Sequence, residues 1–464
     1  DEICQAVREH QVTLVLGATG CGKTTQIPQF LLEDCASRGE TCRVVATQPR
    51  RISAVSVADR VAVERGGQLG DTVAFKIRFE DKVTESSQVV FCTVGILLKV
   101  MQSNPTLKGA SHIVVDEVHE RGLHTDFLLT LLRRLLDQRP DLRLVLMSAT
   151  VDPSAFQEYF EGIHTVSIPG KTNYPIQEVF LEDLLPQLPR LDSWRSGTGV
   201  GRSSPFSQGP LPGVPLDRRT VAEALPQLSP ALVQDVVRVH NEKADVIDFE
   251  LVLQVVEMIH CQGTEGGIMI FMPGWSEISN VLERLAKVSF AHQLQVHALH
   301  SRLPSSEQKQ IFNVPPSGKR KVVVATVLAE TSITVEDVVY VLDAGRSRTT
   351  FFNEQTMISA LRTVWYSKAN GFQRRGRAGR CRPGVWYRLF TSLQWEAMDE
   401  YELPEMQRSP LEELCLEVAS LQLGPPEEFL QEAISPPAAD VLRHAVAMLE
   451  RLGATDSTGA QVTP

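Results

Sequence analysis

The sequence predicts an α/β protein with two parallel-sheet domains in tandem, followed by a helical region. Three observations carry this expectation. Short, continuous apolar runs rich in valine alternate with longer amphipathic stretches from Val12 to about Leu181. The same alternation resumes after residue 245. From about Ser392 the strand signals stop and helical spacing takes over. Short apolar strands separated by helices belong to a sheet buried on both faces, which is the habit of parallel sheets.

Taken in order, the first domain is expected over 1–182. Its strands are "VTLVLG" (12–17), "RVVAT" (43–47), "VVFCT" (89–93), "HIVVD" (112–116) and "LRLVLMS" (142–148), with an amphipathic helix in "DFLLTLLRRLLDQRP" (126–140). Residues 183–245 hold a stretch rich in Pro, Gly and Ser without a sustained period, which reads as a linker or insertion. The second domain is expected over 246–391, with strands in "GGIMIFMPG" (266–274), "LQVHALH" (294–300), "KVVVAT" (321–326) and "VVYVLDAG" (338–345). Over 392–464, "SPLEELCLEVASLQLG" and "AADVLRHAVAMLERLG" carry helical apolar spacing.

Composition narrows the classes. Hydrophobic residues make up 43% and charged residues 22%, ordinary values for a globular protein. No apolar run reaches the roughly 18 residues that a membrane helix needs, so no membrane partner is expected. The polar opening "DEICQAVREHQ" reads as the interior of a domain, not a signal peptide. Eight scattered cysteines form no CxxC pair, as expected of reduced thiols inside the cell, in cytoplasm or nucleus. The ends read as truncated, which leaves a mitochondrial address open. His119 and His124 lack the spacing of a zinc protease. The net charge of −10 weighs against a general nucleic-acid binder, although a local basic channel can still hold phosphates.

The stretch "GATGCGKTT" follows a strand and precedes a helix. Gly17, Ala18, Thr19, Gly20, Cys21, Gly22, Lys23, Thr24 and Thr25 match the phosphate-binding pattern G-x-x-x-x-G-K-S/T. The glycines let backbone N–H groups wrap an anion, Lys23 reaches the β and γ phosphates, and the Thr24 hydroxyl suits Mg²⁺. A second strand end must hold the metal, and "VVDE" supplies it. Asp116 is expected to bind Mg²⁺, and Glu117 to orient and deprotonate the attacking water. Thr24, Asp116 and Glu117 form the candidate metal set.

The phosphate loop, "DEVH", "SAT" (148–150) and "QRRGRAGR" (373–380) occur in the order found in superfamily-two helicases. With "TQPRRISAVSVADRVA" and "AETSIT", the chain resembles the DEAH/RHA group of RNA helicases, and "CTVGILL" and "FMPGWSEI" look most like its RNA helicase A branch. That resemblance implies two tandem RecA-like domains with ATP in the cleft between them, then the start of a winged-helix domain. It implies that Arg377 and Arg380 act as arginine fingers and that Gln373 helps position the water. It gives His119, Ser148 and Thr150 roles in coupling hydrolysis to strand movement. Arg60 and Phe312 would sandwich the base, so other nucleoside triphosphates should be accepted, and Asp337 would join the nucleotide site. Arg50, Arg51, Thr93, Thr326 and Thr331 would contact the RNA backbone, independently of sequence. The segment 349–367 resembles the β-hairpin that helps separate strands.

One position departs from the family pattern. Where the family has Thr-Asn-Ile before "AETS", this chain has Val327 and Leu328, and valine cannot make the hydrogen bonds of asparagine. The implied activity is translocation on single-stranded or tailed RNA, 3′ to 5′, with RNP proteins or a helicase activator as further partners. An RNP-binding scaffold with weak or lost unwinding and a DNA translocase stand as alternatives.

Overall fold

The first sheet is assembled from eight strands: β1 (Val12–Leu16), β2 (Val44–Gln48), β3 (Val73–Ile77), β4 (Glu80–Asp81), β5 (Val89–Thr93), β6 (His112–Val115), β7 (Arg143–Ser148) and β8 (His164–Ser167). Their order is β4-β3-β5-β2-β6-β7-β1-β8, parallel apart from the β3–β4 pair. A second sheet contains β9 (Ile176–Val179), β10 (Gly267–Phe271), β11 (Leu294–Leu299), β12 (Arg320–Ala325), β13 (Val338–Asp343) and, after a two-stranded ladder of β14 (Arg346–Asn353) and β15 (Ile358–Trp365), β16 (Gly384–Arg388). Its order is β11-β12-β10-β13-β16-β9, and every pairing is parallel.

This computed structural model describes residues 1–18, 20–149, 153–169, 174–188, 217–242, 247–262, 264–330, 335–353, 358–456 and 459–463. Thr19, Thr150 and Thr331, and residues 189–216 of the expected linker, lie outside the described residues. No helix among the described residues is long and apolar enough to cross a membrane. The chain divides into two units. The first comprises Asp1–Gly170, Phe351–Ala360 and Leu403–Pro464, and the second Lys171–Thr350 and Leu361–Glu402.

Strand periodicity builds the first unit. Along β1, Leu14 and Leu16 point to one face while Val15 points to the other. The Val15 face packs on the helices Lys23–Ser37 and Arg51–Glu64 through Ile27, Leu31, Ala54 and Val61. The Leu14 face packs on the helices Val94–Ser103 and Leu123–Gln138. Met406, Leu414, Phe429 and Leu442 of the C-terminal segment belong to that same core.

Three boundaries differ from expectation. The strand β9 lies inside the expected first domain, yet it pairs with β16 in the second sheet, Ile176 opposite Gly384. Its pattern, with exposed Gln177 and Glu178, is that of an edge strand, so it offers no apolar run to read. Within 183–245, the helices Arg218–Ala224 and Pro230–Glu242 bury Val221, Val233, Val236 and Val239 in the core of the second unit, so this part is folded protein, not linker. The expected C-terminal domain 392–464 also divides. Trp395 packs edge-on against Trp386 in the second unit, whereas residues from Leu403 onward belong to the first.

Candidate nucleotide site

In the first unit, β1, β6 and β7 end together: Leu16 lies opposite Ser148, and Val115 opposite Leu146. The phosphate loop leaves β1 and the carboxylate pair leaves β6, on either side of β7. Loop geometry demands glycine twice, since Gly20 and Gly22 have φ of 86° and 89°. Gly22 then caps the helix Lys23–Ser37, whose N-terminal N–H groups and dipole favour an anion. The Gly17 amide donates to Ser148 O at 3.1 Å, joining the loop to "SAT". Lys23 is buried, and its ammonium donates to Gly17 O and, at 3.1 Å, to Ala18 O. Thr25 Oγ1 donates to Gly22 O.

Asp116 is 2% exposed. Its Oδ2 accepts from Thr24 Oγ1 and from Gln48 Nε2, each at 2.7 Å, and its Oδ1 accepts from the Glu117 amide at 2.8 Å. Burial, and then the Glu117 charge, push its pKa up to about 6 against the pull of Thr24, Gln48 and Lys23. A buried carboxylate raised by its own desolvation, with a hydroxyl oxygen beside it, is a donor set that a small hard cation neutralises. The residues therefore fit a magnesium ion. Gln48, at the end of β2, was not singled out from the sequence. Its signal was available in the glutamine of "TQPRR", on a strand adjacent to β6.

Glu117 is buried and sits in the left-handed region, φ 55°, which turns its side chain away from the run of β6. His119 Nε2 lies 3.6 Å from Glu117 Oε2, while His119 Nδ1 accepts from the Ala149 amide at 3.1 Å. Burial lowers the His119 pKa to about 4. At neutral pH the ring is thus uncharged with its proton on Nε2, facing Glu117.

The proposed RNA residues of this unit share one edge. Gln48 at the end of β2 lies opposite Thr93 at the end of β5, with Arg50 and Arg51 just beyond. Arg50 Nη2 pairs with Glu120 at 3.7 Å, and Arg51 donates to Arg78 O at 3.3 Å. Arg60 is exposed and bonded to Glu64 at 2.6 Å.

In the second unit, Arg377 is buried and donates to Glu330 O at 2.6 Å. Gln373 is buried on the helix Lys368–Arg375, Arg380 is half-buried just beyond it, and Thr326 caps the turn Val327–Ala329. The centre of this region is Arg374, which nothing in the sequence distinguishes from its neighbouring arginines. It is wholly buried and bonds Glu330 Oε1 at 2.6 Å, Asp343 Oδ1 at 2.7 Å and Arg346 O at 3.2 Å. Asp343 also accepts from Tyr366 Oη at 2.8 Å. Phe312 is partly exposed. Asp337, just before β13, pairs with buried Lys321 at 3.0 Å, and the same ammonium donates to Ile311 O at 2.8 Å, next to Phe312.

A phosphate loop answered by an Asp-Glu pair one strand removed in the same sheet defines a P-loop nucleoside triphosphatase. Comparison with known proteins makes the class specific. The DEAD/DEAH box helicase family matches residues 1–159, and the helicase conserved C-terminal domain matches 249–382. The chain is 41% identical over 483 residues to the DExH-box ATP-dependent RNA helicase DExH1 of Arabidopsis thaliana, covering 100% of this chain and 47% of that protein. It is 39% identical over 481 residues to the ATP-dependent DNA/RNA helicase DHX36 of Homo sapiens, covering 100% and 47%. It is 42% identical over 465 residues to the ATP-dependent RNA helicase DHX30 of Homo sapiens, covering 98% and 35%. The chain thus spans about half or less of the length of these relatives. It belongs to the DEAD/DEAH box helicases of superfamily two, in their DEAH/RHA group, with two tandem RecA-like units.

Proposed function

We propose that this chain is the motor of an ATP-dependent RNA helicase, coupling ATP hydrolysis to 3′-to-5′ movement on single-stranded or tailed RNA. The observation that carries the reading is the cluster of half-buried Thr24 with Gln48, Asp116, Glu117 and His119 beside the phosphate loop. Lys23 and the loop amides bind the β and γ phosphates. Mg²⁺, held by Thr24 and Asp116, would neutralise phosphate charge when bound. Glu117 orients the water and takes its proton. The water oxygen bonds to the γ-phosphorus, the bond to the β–γ bridging oxygen breaks, and ADP leaves with that electron pair. Arg377, Arg380 and Gln373 of the second unit are assigned to the developing charge and the water. Arg60 and Phe312 are assigned to the base, and Arg50, Arg51, Thr93 and Thr326 to RNA phosphates. An intracellular site of action and RNP partners follow from the same reading.

Unwinding of 3′-tailed RNA duplexes under single-turnover conditions tests it, with 3′-tailed DNA in parallel because one relative is named a DNA/RNA helicase. Glu117→Gln should bind ATP and fail to turn over, whereas Lys23→Ala should lose nucleotide affinity. ATP-dependent unwinding of DNA alone would favour a DNA translocase. RNA binding without unwinding would favour an RNP scaffold.

A further inference from the structure

The turn that carries Glu117 and His119 is framed by two residues in the left-handed region, Glu117 at φ 55° and Arg121 at φ 48°. Neither is glycine, so the turn is strained at both ends and persists only if its surroundings hold it. The upstream end is held by the Asp116 contacts. The downstream end is held from far along the chain. Gly122 caps the helix Leu123–Gln138 and has no side chain to satisfy the first amide. Glu405 supplies the acceptor: its Oε2 takes the Leu123 amide at 2.8 Å, and its own amide donates to Arg121 O at 3.0 Å. The Arg121 guanidinium bonds both oxygens of buried Asp126, at 2.9 to 3.2 Å, and donates to Ser435 Oγ at 2.7 Å.

We infer that the C-terminal segment from Leu403 onward is a positioning element for hydrolysis, acting through Glu405 and Ser435 on Arg121 and thereby on Glu117. The inference rests on the reading of Glu117 as the group that directs the water. Only three residues separate Glu117 from Arg121, and Val118 among them is fully buried. A shift at Arg121 is therefore passed along a short, packed turn with little slack. Glu405 meets the turn at Arg121 O and the Leu123 amide, and Ser435 meets it at the Arg121 guanidinium, so both act on it from its downstream end. Elsewhere the same segment is tied to the same helix by Arg134 and Glu432, 2.6 Å apart, three helical turns beyond Arg121. That contact docks the segment without touching the turn.

The two contacts allow positioning to be separated from docking in the full chain. Glu405→Ala should lower kcat for RNA-stimulated ATP hydrolysis about tenfold, within the roughly hundredfold that a 1 Å misplacement can cost. KM for ATP and the melting temperature should stay near wild type. Glu405→Gln retains an acceptor for Leu123 and should recover kcat to within about twofold. Arg134→Ala should leave kcat unchanged. If Glu405→Ala and Arg134→Ala lower kcat alike, in step with melting temperature, the segment only stabilises the fold and the inference is overturned. If Glu405→Ala does not fold, Ser435→Ala decides: reduced kcat at an unchanged melting temperature supports positioning, and wild-type kcat refutes it. Glu117→Gln is assayed beside them. An active Glu117→Gln overturns the assignment of Glu117 itself, whereas an inactive Glu117→Gln with a wild-type Glu405→Ala overturns the positioning role alone.

Discussion

The backbone amide of Ala149 donates a 3.1 Å hydrogen bond to Nδ1 of His119. This one bond ties the end of β7, in "SAT", to the turn that carries Glu117. It also fixes the histidine tautomer, because a ring nitrogen that accepts cannot carry the proton. The remaining N–H faces Glu117 Oε2 across 3.6 Å. A movement of β7 therefore reaches the proposed base through a neutral imidazole, and not through a change of charge.

His119→Ala should separate binding from turnover. The nucleotide is held by Lys23 and the loop amides, which the substitution leaves in place, so ATP affinity should change by less than about threefold. At 3.6 Å the Nε2–H is too far from Glu117 for a hydrogen bond, so the ring acts through its bond to Ala149, which fixes the turn beside Glu117. Loss of that tie should slow RNA-stimulated hydrolysis by about tenfold, within the roughly hundredfold that a 1 Å misplacement can cost. Equilibrium nucleotide binding and steady-state ATPase on the same preparation check this. A variant that loses ATP affinity but keeps its kcat would remove His119 from this role.

Asp116 gives the pH dependence. Its folded pKa, near 6, lies above the ordinary aspartate value because of burial and then Glu117. The folded state thus holds this proton more tightly than the unfolded chain. The stability that the proton contributes is fully present below about pH 4 and is lost as pH rises through about 6. Magnesium works in the opposite sense, since it needs the carboxylate. The magnesium-dependent gain in nucleotide affinity should therefore fall as pH drops below about 6, approaching tenfold per unit. Magnesium lowers the pKa of the nucleotide's own terminal phosphate, so the gain is read against the pH dependence of magnesium binding to free nucleotide, measured in parallel. A gain that stays constant from pH 5 to 7 would exclude Asp116 as the group responsible.

Much of this site was legible in the sequence because its parts stand at the ends of continuous apolar strands. The run "HIVV" buries all four residues, so the acids that follow had to lie at a strand end. What was illegible depended on contacts between distant residues. Four arginines in "QRRGRAGR" look alike in the sequence, and only burial separates Arg374, enclosed by Glu330 and Asp343, from half-buried Arg375. The helix Pro230–Glu242 does place Val233, Val236 and Val239 at three-residue spacing, but the Pro, Gly and Ser before it dominated the reading. The pairing of Asp337 with Lys321 across 16 residues likewise could not be read from local spacing.

Arg374 should be a residue of stability before it is one of catalysis. Burial works against its charge, but Asp343 and Glu330 outweigh burial and hold the guanidinium above its ordinary pKa. Removing one partner from a buried, bonded charge network typically costs about 3–5 kcal/mol, because the remaining charges stay buried. Arg374→Ala should therefore lower the unfolding free energy of the second unit by that amount. Arg374→Lys should recover little, since an ammonium cannot span Glu330, Asp343 and Arg346 O together. Urea unfolding followed by the fluorescence of Trp386 and Trp395 measures it. An unfolding free energy within about 1 kcal/mol of wild type would mean that the network rearranges around the loss.

Val327 begins the turn Val327–Ala329, half-buried, directly after Thr326. Where the family pattern has an asparagine at this position, the valine side chain brings no polar group to an RNA backbone. One such hydrogen bond is worth about 0.5–1.5 kcal/mol net, a factor of about two to twelve in affinity. Val327→Asn should thus tighten RNA binding, or raise RNA stimulation of ATPase, by several-fold at most. Basal ATPase should barely move, because Lys23, Asp116 and Glu117 lie in the other unit and are untouched. RNA titrations of both forms at one fixed salt concentration decide it, since phosphate contacts are salt-dependent. Unchanged or weakened RNA affinity would show that the chain is packed around valine here, and that its hold on RNA does not depend on a polar side chain at this turn.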